Sequence, residues 1–86
     1  MANLNVAVVS VDRNIWSGEA KSLIAKTTEG EIGILAGHEP LLSLLVDGVV
    51  RVEGTDGDKI QVSISGGFLA VDNNSVRVLA EDAEVL

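Results

Sequence analysis

The side chains best suited to acid–base or metal chemistry lie close together, from Glu29 to Glu39. Glu29 and Glu31 flank a glycine, and paired carboxylates can serve a glycosidase or bind calcium. His38 places a base beside the carboxylate of Glu39. However, neighbouring side chains on an extended backbone point apart, and one histidine without any cysteine completes no metal or nucleophile site. The sequence therefore predicts no catalytic or metal-binding residue, a solvated turn for the two carboxylates, and a loop histidine bonded to backbone.

Three glycines, Gly30, Gly33 and Gly37, are interleaved with these side chains. A glycine-rich loop can cradle a phosphate, but the Gly-Lys-Ser/Thr ending of a P-loop is missing here. Glycine also frees the backbone where the chain changes direction sharply. We therefore expect turns on both sides of a short strand at residues 32–35, and no nucleotide or other cofactor.

The composition favours one small acidic domain made of strands. The 86 residues are 47% hydrophobic but include one Phe, one Trp and no Tyr, so the core must consist of Val, Ile, Leu and Ala. A net charge of −7 argues against nucleic acid as a partner. No apolar run reaches the ~20 residues of a membrane span, and the N-terminus lacks a secretory signal's basic region. These features predict a cytoplasmic protein without direct membrane insertion.

The first half of the chain contains several short apolar runs that could be strands. Residues 4–11 are apolar on both faces, which predicts a strand covered on two sides. Residues 15–18 resume an extended course, and Trp16 is expected in the core or at its rim. Residues 20–28 fit a strand better than the competing helix, because Thr27, Thr28 and a glycine end a helix poorly. Residues 40–45 begin with a proline and are expected to form a single helical turn.

The second half carries a cleaner alternation of apolar and polar residues. Residues 49–53 and 59–65 are expected to form one hairpin, and residues 68–71 and 76–79 a second, joined by an Asn-rich turn. Gly66 and Gly67 between them predict a bulge or a bend from one sheet to another. Residues 1–81 are thus predicted to be an all-β domain, a small β-sandwich or flattened barrel of about ten short strands. Residues 82–86 could be the first turn of a helix or a frayed tail.

Four blocks of the chain, taken together, match a known family. A Ser-Gly pair at 17–18 is followed by G-E-x-G-I-x-x-G-H-x-P-L-L at 30–42, S-G-G-x-x-x-V at 65–71 and V-x-V-L-A at 76–80. In order and spacing the chain resembles the N-terminal β-sandwich domain of the epsilon subunit of rotary ATP synthases, called delta in mitochondria. Two departures are Ala36, where proline is common, and the end of the sequence at Leu86. The family's C-terminal helical hairpin is therefore expected to be absent, with residues 82–86 as the start of its linker.

The resemblance implies a non-catalytic central-stalk subunit that links the gamma shaft to the c-ring and couples proton-driven rotation to ATP synthesis. It places the complex at the cytoplasmic face of a bacterial plasma membrane, and nucleotide binding and inhibition in the missing helices. The residues that it assigns to the gamma interface are Ser10, His38, Leu42 and Ser43. Those that it assigns to the c-ring interface are Glu29, Glu31, Gly33 and His38.

Three other interpretations stay open on the residues alone. Leu41, Leu42, Leu44 and Leu45 could be core, or part of the cluster could remain exposed as a protein-docking patch. The chain could be a free-standing sandwich that binds a carbohydrate or peptide, although few aromatics are available for a sugar platform. A small hydrolase would use Glu29, Glu31 and His38.

Overall fold

The computed structural model describes residues 3–86, and every regular element in that range is a β-strand. The strands are β1 Leu4–Ser10, β2 Asn14–Thr27, β3 Gly30–Leu35, β4 Leu41–Leu45, β5 Gly48–Gly54, β6 Lys59–Asp72 and β7 Ser75–Val85. This confirms the predicted all-β class. The predicted number of about ten strands is wrong: the described residues form seven, because β2 and β6 each run for 14 residues and replace shorter strands. Residues 1 and 2 of the predicted domain lie outside the described part.

Backbone pairing closes five of these seven strands into a ring. β1 lies antiparallel to β2 and parallel to β7, and the circuit continues antiparallel through β7, β6, β5 and β2. β4 pairs with the second half of β6, and β3 with the second half of β2. The outcome is a flattened barrel that measures 32 × 24 × 20 Å along its principal axes.

The long strand β6 changes partner at Gly66 and Gly67. Residues before this pair bond to β5, and residues from Gly67 onward bond to β4. Both glycines have positive φ, 58° and 134°, and a Cβ at Gly67 would overlap the carbonyl oxygen of Leu79 on β7. The predicted bend is confirmed, because only a residue without a side chain fits this close approach of two backbones.

The core is aliphatic, as predicted. Its largest fully buried side chains come from six of the strands: Leu4, Val8, Leu23, Ile34, Val50, Val52, Val62, Leu69, Val76 and Val78. Trp16 is half-buried and packs against this cluster, as expected for a residue at the rim. The prediction that both faces of residues 4–11 are buried is wrong. Asn5 is exposed and Val9 only partly buried, because β1 is a wall strand with solvent on its outer side.

The predicted turns of the second half are confirmed. β5 and β6 form a hairpin across residues 55–58, and β6 and β7 form one across Asn73 and Asn74. Both asparagines have positive φ, 48° and 63°, which is the conformation that a two-residue type I′ turn requires. The inward positions of Val62 and Ile64 also follow the predicted alternation. Residues 20–27 lie in β2, so the choice of strand over helix there is confirmed.

Two local predictions are wrong. The helical turn expected at residues 40–45 is strand β4, because Leu41 to Leu45 pair residue by residue with β6 from Val71 back to Gly67. The helical turn or frayed tail expected at the C-terminal end is also replaced by strand, since β7 continues to Val85, opposite Val62. The division of the chain after residue 81 and a linker at residues 82–86 stay predictions.

Candidate functional site

The carboxylates and the histidine of the 29–39 stretch are held apart by the length of β3. Glu29 lies in the turn before β3, where the Thr27 hydroxyl donates to the Gly30 carbonyl at 2.8 Å and accepts from the Glu29 N–H at 3.1 Å. Glu31 follows at the start of β3, whereas His38 lies in the loop after its last residue, Leu35. The stretch from Glu31 to Leu35 alone covers about 13 Å. The structure therefore does not assemble the three-residue hydrolase site.

His38 bonds to backbone, as expected for a loop histidine. Its N–H donates to the Leu35 carbonyl at 3.2 Å, and its Nδ1 lies 2.7 Å from the carbonyl oxygen of Glu39. Among residues 3–86 no three His, Cys, Asp or Glu side chains converge as metal ligands would. Within the same range no helix is long and apolar enough to cross a membrane.

The residues that the resemblance assigns to the gamma interface do not share one surface. Ser10 ends β1, in a cross-strand row with Ala80, Gly67 and Leu45, whereas His38 lies beyond the other end of these strands. Leu42 is exposed and points outward, but its neighbour Ser43 is half-buried on the core side of β4. Of the c-ring residues, Glu29 and Glu31 lie near one end of β3, Gly33 on its outer side, and His38 past its other end. Their roles at interfaces stay predictions.

A largely apolar surface, interrupted by Arg77, crosses the outer side of β4, the second half of β6, the middle of β7 and the second half of β1. One straight row crosses all four strands, since Leu44 lies opposite Phe68, Phe68 opposite Leu79, and Leu79 opposite Val9. Leu44, Phe68 and Leu79 are 51%, 47% and 49% exposed. The next outward row contains Leu42, Ala70, Arg77 and Ala7. We call these two rows the apolar face.

The apolar face continues into a shallow open depression of about 440 Å³. Leu44, Phe68 and Leu79 line it together with Val11, which is exposed just beyond β1. Exposed apolar side chains in a continuous surface, unlike single ones, mark a contact with another molecule. This arrangement has the chemistry of a docking site.

The leucines at residues 41–45 indicate this surface in the sequence, but they predict only part of it. Part of the cluster is exposed, namely Leu42 and Leu44, while Leu45 is buried. Phe68, Leu79 and Val9 were missed, although consecutive apolar residues at 68–71 already show that both sides of that strand are apolar. Only the register between strands distant in sequence brings them into one row with Leu44.

The opposite half of the barrel presents a charged outer surface on β3, β2, β5 and the first half of β6. Glu31 lies opposite Lys26, and Glu53 opposite Lys59. Between them, a row crosses the four strands from Gly33 through Ile24 and Arg51 to Gln61. We call this surface, which also includes Ser22 and Leu35, the charged face. Positive charges, negative charges and isolated apolar residues are mixed on this face, which is typical of solvated protein surface.

Sequence comparison identifies the family. The family model described as ATP synthase, Delta/Epsilon chain, beta-sandwich domain matches residues 3–85. The ATP synthase epsilon chain of Corynebacterium diphtheriae is 52% identical over 84 residues, which are 96% of this chain and 68% of that protein. The ATP synthase epsilon chain of Mycobacterium avium is 54% identical over 85 residues, 98% of this chain and 70% of that protein.

Solved structures agree with this fold. A chain in the Euglena gracilis mitochondrial ATP synthase, a cryo-EM structure of OSCP, F1 and c-ring, superposes with a TM-score of 0.92 at 32% identity over 99% of this chain. This chain spans about half of that one, 54% of its length. A chain in the central stalk and c-ring structure of the Tetrahymena thermophila mitochondrial ATP synthase has a TM-score of 0.77 at 17% identity, covering 94% of this chain and 65% of that one.

The four sequence blocks, the flattened β-barrel and these relatives all lead to the same assignment. The family model covers nearly the whole chain, and relatives above 50% identity match 96% and 98% of it. The chain therefore belongs to the ATP synthase delta/epsilon family, of which it forms the β-sandwich domain.

Proposed function

We propose that this chain is a non-catalytic part of the rotor of a proton-translocating ATP synthase, where it links the gamma shaft to the c-ring. The apolar face is the observation that supports this most directly. Exposure of a continuous apolar surface to water is unfavourable in free energy, and a bound partner would bury that surface. The relatives named as ATP synthase epsilon chains indicate which assembly supplies that partner.

The apolar face binds the gamma shaft. Phe68 at its centre, flanked by Leu44 and Leu79, has the character of an aromatic anchor surrounded by apolar contacts. Leu42 lies on this face, and Ser10 and His38 lie toward its two ends. Ser43 faces the core, so its part in this contact rests on the family resemblance alone.

The turn before β3 and the first residues of that strand bind the c-ring. Glu29 in this turn and Glu31 at the start of β3 are exposed, and carboxylates can accept hydrogen bonds from basic or amide groups on polar loops of the ring. Gly33, on the same outer side of β3, leaves open space, since a Cβ built on it would meet no atom within 4 Å. A partner backbone can approach closely at such a position.

In this role the chain transmits torque and performs no reaction. A ring of paired strands around a close-packed core deforms little, so rotation of one partner is passed to the other. The chain is held at the cytoplasmic face of the plasma membrane by these protein contacts. Coupling requires both contact regions to be occupied at once.

The test is binding to an ATP synthase depleted of its epsilon subunit. Leu44→Glu and Phe68→Glu should each weaken the association by at least about thirtyfold, since a buried anchor contributes on the order of 2 kcal/mol or more. Val85→Glu is the matched control: Val85 is 50% exposed but lies at the end of β7, outside both contact regions, so this variant should bind as the unaltered chain does. Equal binding by all four proteins would contradict the proposal.

A second measurement separates coupling from inhibition. Adding the chain to the depleted enzyme in proton-pumping vesicles should restore ATP synthesis driven by a proton gradient. Hydrolysis of ATP by the same preparation should not be suppressed, because inhibition in this family is assigned to C-terminal helices. Suppression of hydrolysis by these 86 residues alone would contradict this assignment.

A further inference from the structure

Asn74 makes two hydrogen bonds that tie together parts of the chain far apart in sequence. Its side-chain Oδ1 accepts the N–H of Gly37 at 2.7 Å, across 37 positions. Its backbone carbonyl accepts the N–H of Asn5, at the start of β1, at 2.8 Å. The β6–β7 turn is thus bonded both to β1 and to the loop between β3 and β4.

The loop at residues 36–40 carries His38 and depends on few bonds for its shape. Gly37 has a φ of +86°, a conformation that L side chains rarely adopt, so the chain turns sharply directly after the N–H that bonds to Asn74. The next residue, His38, bonds to the Leu35 carbonyl at 3.2 Å. The Gly37 N–H lies in the peptide plane that joins Ala36 to Gly37, and the His38 N–H lies in the next plane. The bonds to Asn74 and to Leu35 therefore hold two successive peptide planes on the approach to His38.

We propose that Asn74 is a positioning residue that holds the His38 loop in the orientation in which the rotor partners meet it. This inference rests on the proposed rotor function and adds to it a residue outside both contact regions. Asn74 suits the task because asparagine tolerates a φ of +63° and still offers a side-chain acceptor. Glycine would satisfy only the first of these requirements.

Three variants separate the side-chain bond from the turn. Asn74→Gly keeps the positive φ and the backbone bond to Asn5 but removes the acceptor for Gly37. Asn74→Asp keeps both the turn and an acceptor oxygen. Asn73→Gly is the matched control, because Asn73 is the other positive-φ residue of the same turn and is exposed.

The first measurement is amide hydrogen exchange at Gly37, which needs no partner. Asn74→Gly should speed exchange by roughly fivefold, the loss expected for one hydrogen bond, whereas Asn74→Asp and Asn73→Gly should leave it near the original rate. Unchanged exchange in Asn74→Gly would show that the bond does not hold the loop and would overturn the proposal.

The second measurement is affinity for the epsilon-depleted ATP synthase. Asn74→Gly should weaken binding roughly fivefold, and Asn74→Asp should restore it. The loss should largely disappear when His38→Ala is already present, because two residues that act through one loop are not additive. Original affinity in Asn74→Gly, or full additivity with His38→Ala, counts against positioning. Failure of the unaltered chain to bind would instead refute the rotor function itself.

Discussion

The apolar face and the charged face are outer surfaces of one barrel, and β6 contributes to both. On the first half of this strand, Lys59 and Gln61 point outward, and on the second half Phe68 and Ala70 do. The inward residues of both halves are equally apolar, including Val62 and Leu69. Core formation therefore requires only one side of each strand to be apolar. The apolar outer side of the second half must have a function other than folding.

Gly66 and Gly67 divide the two halves. They allow β6 to leave its pairing with β5 and begin its pairing with β4, and Gly67 lies against the β7 backbone. Each face therefore depends on the same two residues for its place in the barrel. A substitution at Gly66 or Gly67 is therefore the most sensitive test of how the two faces are connected.

The largest effect is expected for Gly67→Ala. A methyl group there would overlap the Leu79 carbonyl oxygen and would have to adopt a φ of 134°, so we expect a loss of about 4 kcal/mol or more in unfolding free energy. Urea denaturation measures it. Gly33→Ala is the control, since its Cβ meets open space and its loss should be below about 1 kcal/mol. Similar stability of the two variants would show that β6 and β7 are not tightly packed at Gly67.

The next largest loss of stability is expected at an inward-facing residue of β6, compared with its outward-facing neighbour. Leu69→Ala should lower the unfolding free energy by about 3 kcal/mol, because Leu69 is fully buried. Phe68→Ala removes a larger side chain but should cost only about 1 kcal/mol, because Phe68 is half in solvent. The same denaturation experiment compares them. A loss in Phe68→Ala equal to that in Leu69→Ala would mean that the apolar face is needed for folding rather than for a partner.

A smaller effect distinguishes the apolar face from apolar residues elsewhere on the same strand. Leu79→Glu should shorten retention on a hydrophobic-interaction column clearly more than Val85→Glu, although the two residues are 49% and 50% exposed on β7. The reason is that Leu79 lies between exposed Phe68 and partly buried Val9, so its replacement divides a continuous surface. Equal shortening would show that the row does not act as one surface.

The smallest effect concerns the charged face. Lys26→Glu places two like charges opposite each other, at positions 26 and 31, and should lower stability by about 0.5 kcal/mol. High salt should abolish most of that loss by screening. Lys21→Glu, an exposed change of equal charge on the same strand, is the control. A loss that salt does not alter would indicate a packing role for Lys26.

Local sequence patterns predicted those parts of the fold that local forces determine. The alternation around Val62 and the positive φ of Asn73 and Asn74 are examples, because neighbouring residues set both. Strand β4 was mistaken for a helical turn, since four leucines after a proline show no contrast between two faces. Pairing with β6 decides their conformation, and that pairing is not encoded within the segment itself.

The apolar face could be predicted only in part for a related reason. Leu42 and Leu44 stand out in the sequence, but the row is completed by Val9 and Leu79, which belong to strands at opposite ends of the chain. Their alignment depends on the parallel register of β1 and β7. The interface roles of Ser10, Ser43, His38, Glu29, Glu31 and Gly33 came from family resemblance. The chain's own chemistry marks Glu29, Glu31 and His38 as polar groups but indicates no partner for them.

The parallel pairing of β1 with β7 also constrains how the chain folds. Val8 lies beside Val78, so the ring closes only when two strands far apart in sequence have come together. Contacts between such distant residues form slowly, and an unpaired strand edge invites pairing with other nascent chains. One edge of β1 is paired by β2, but the other stays open until β7 arrives, and in that interval association with other chains competes with closure of the ring.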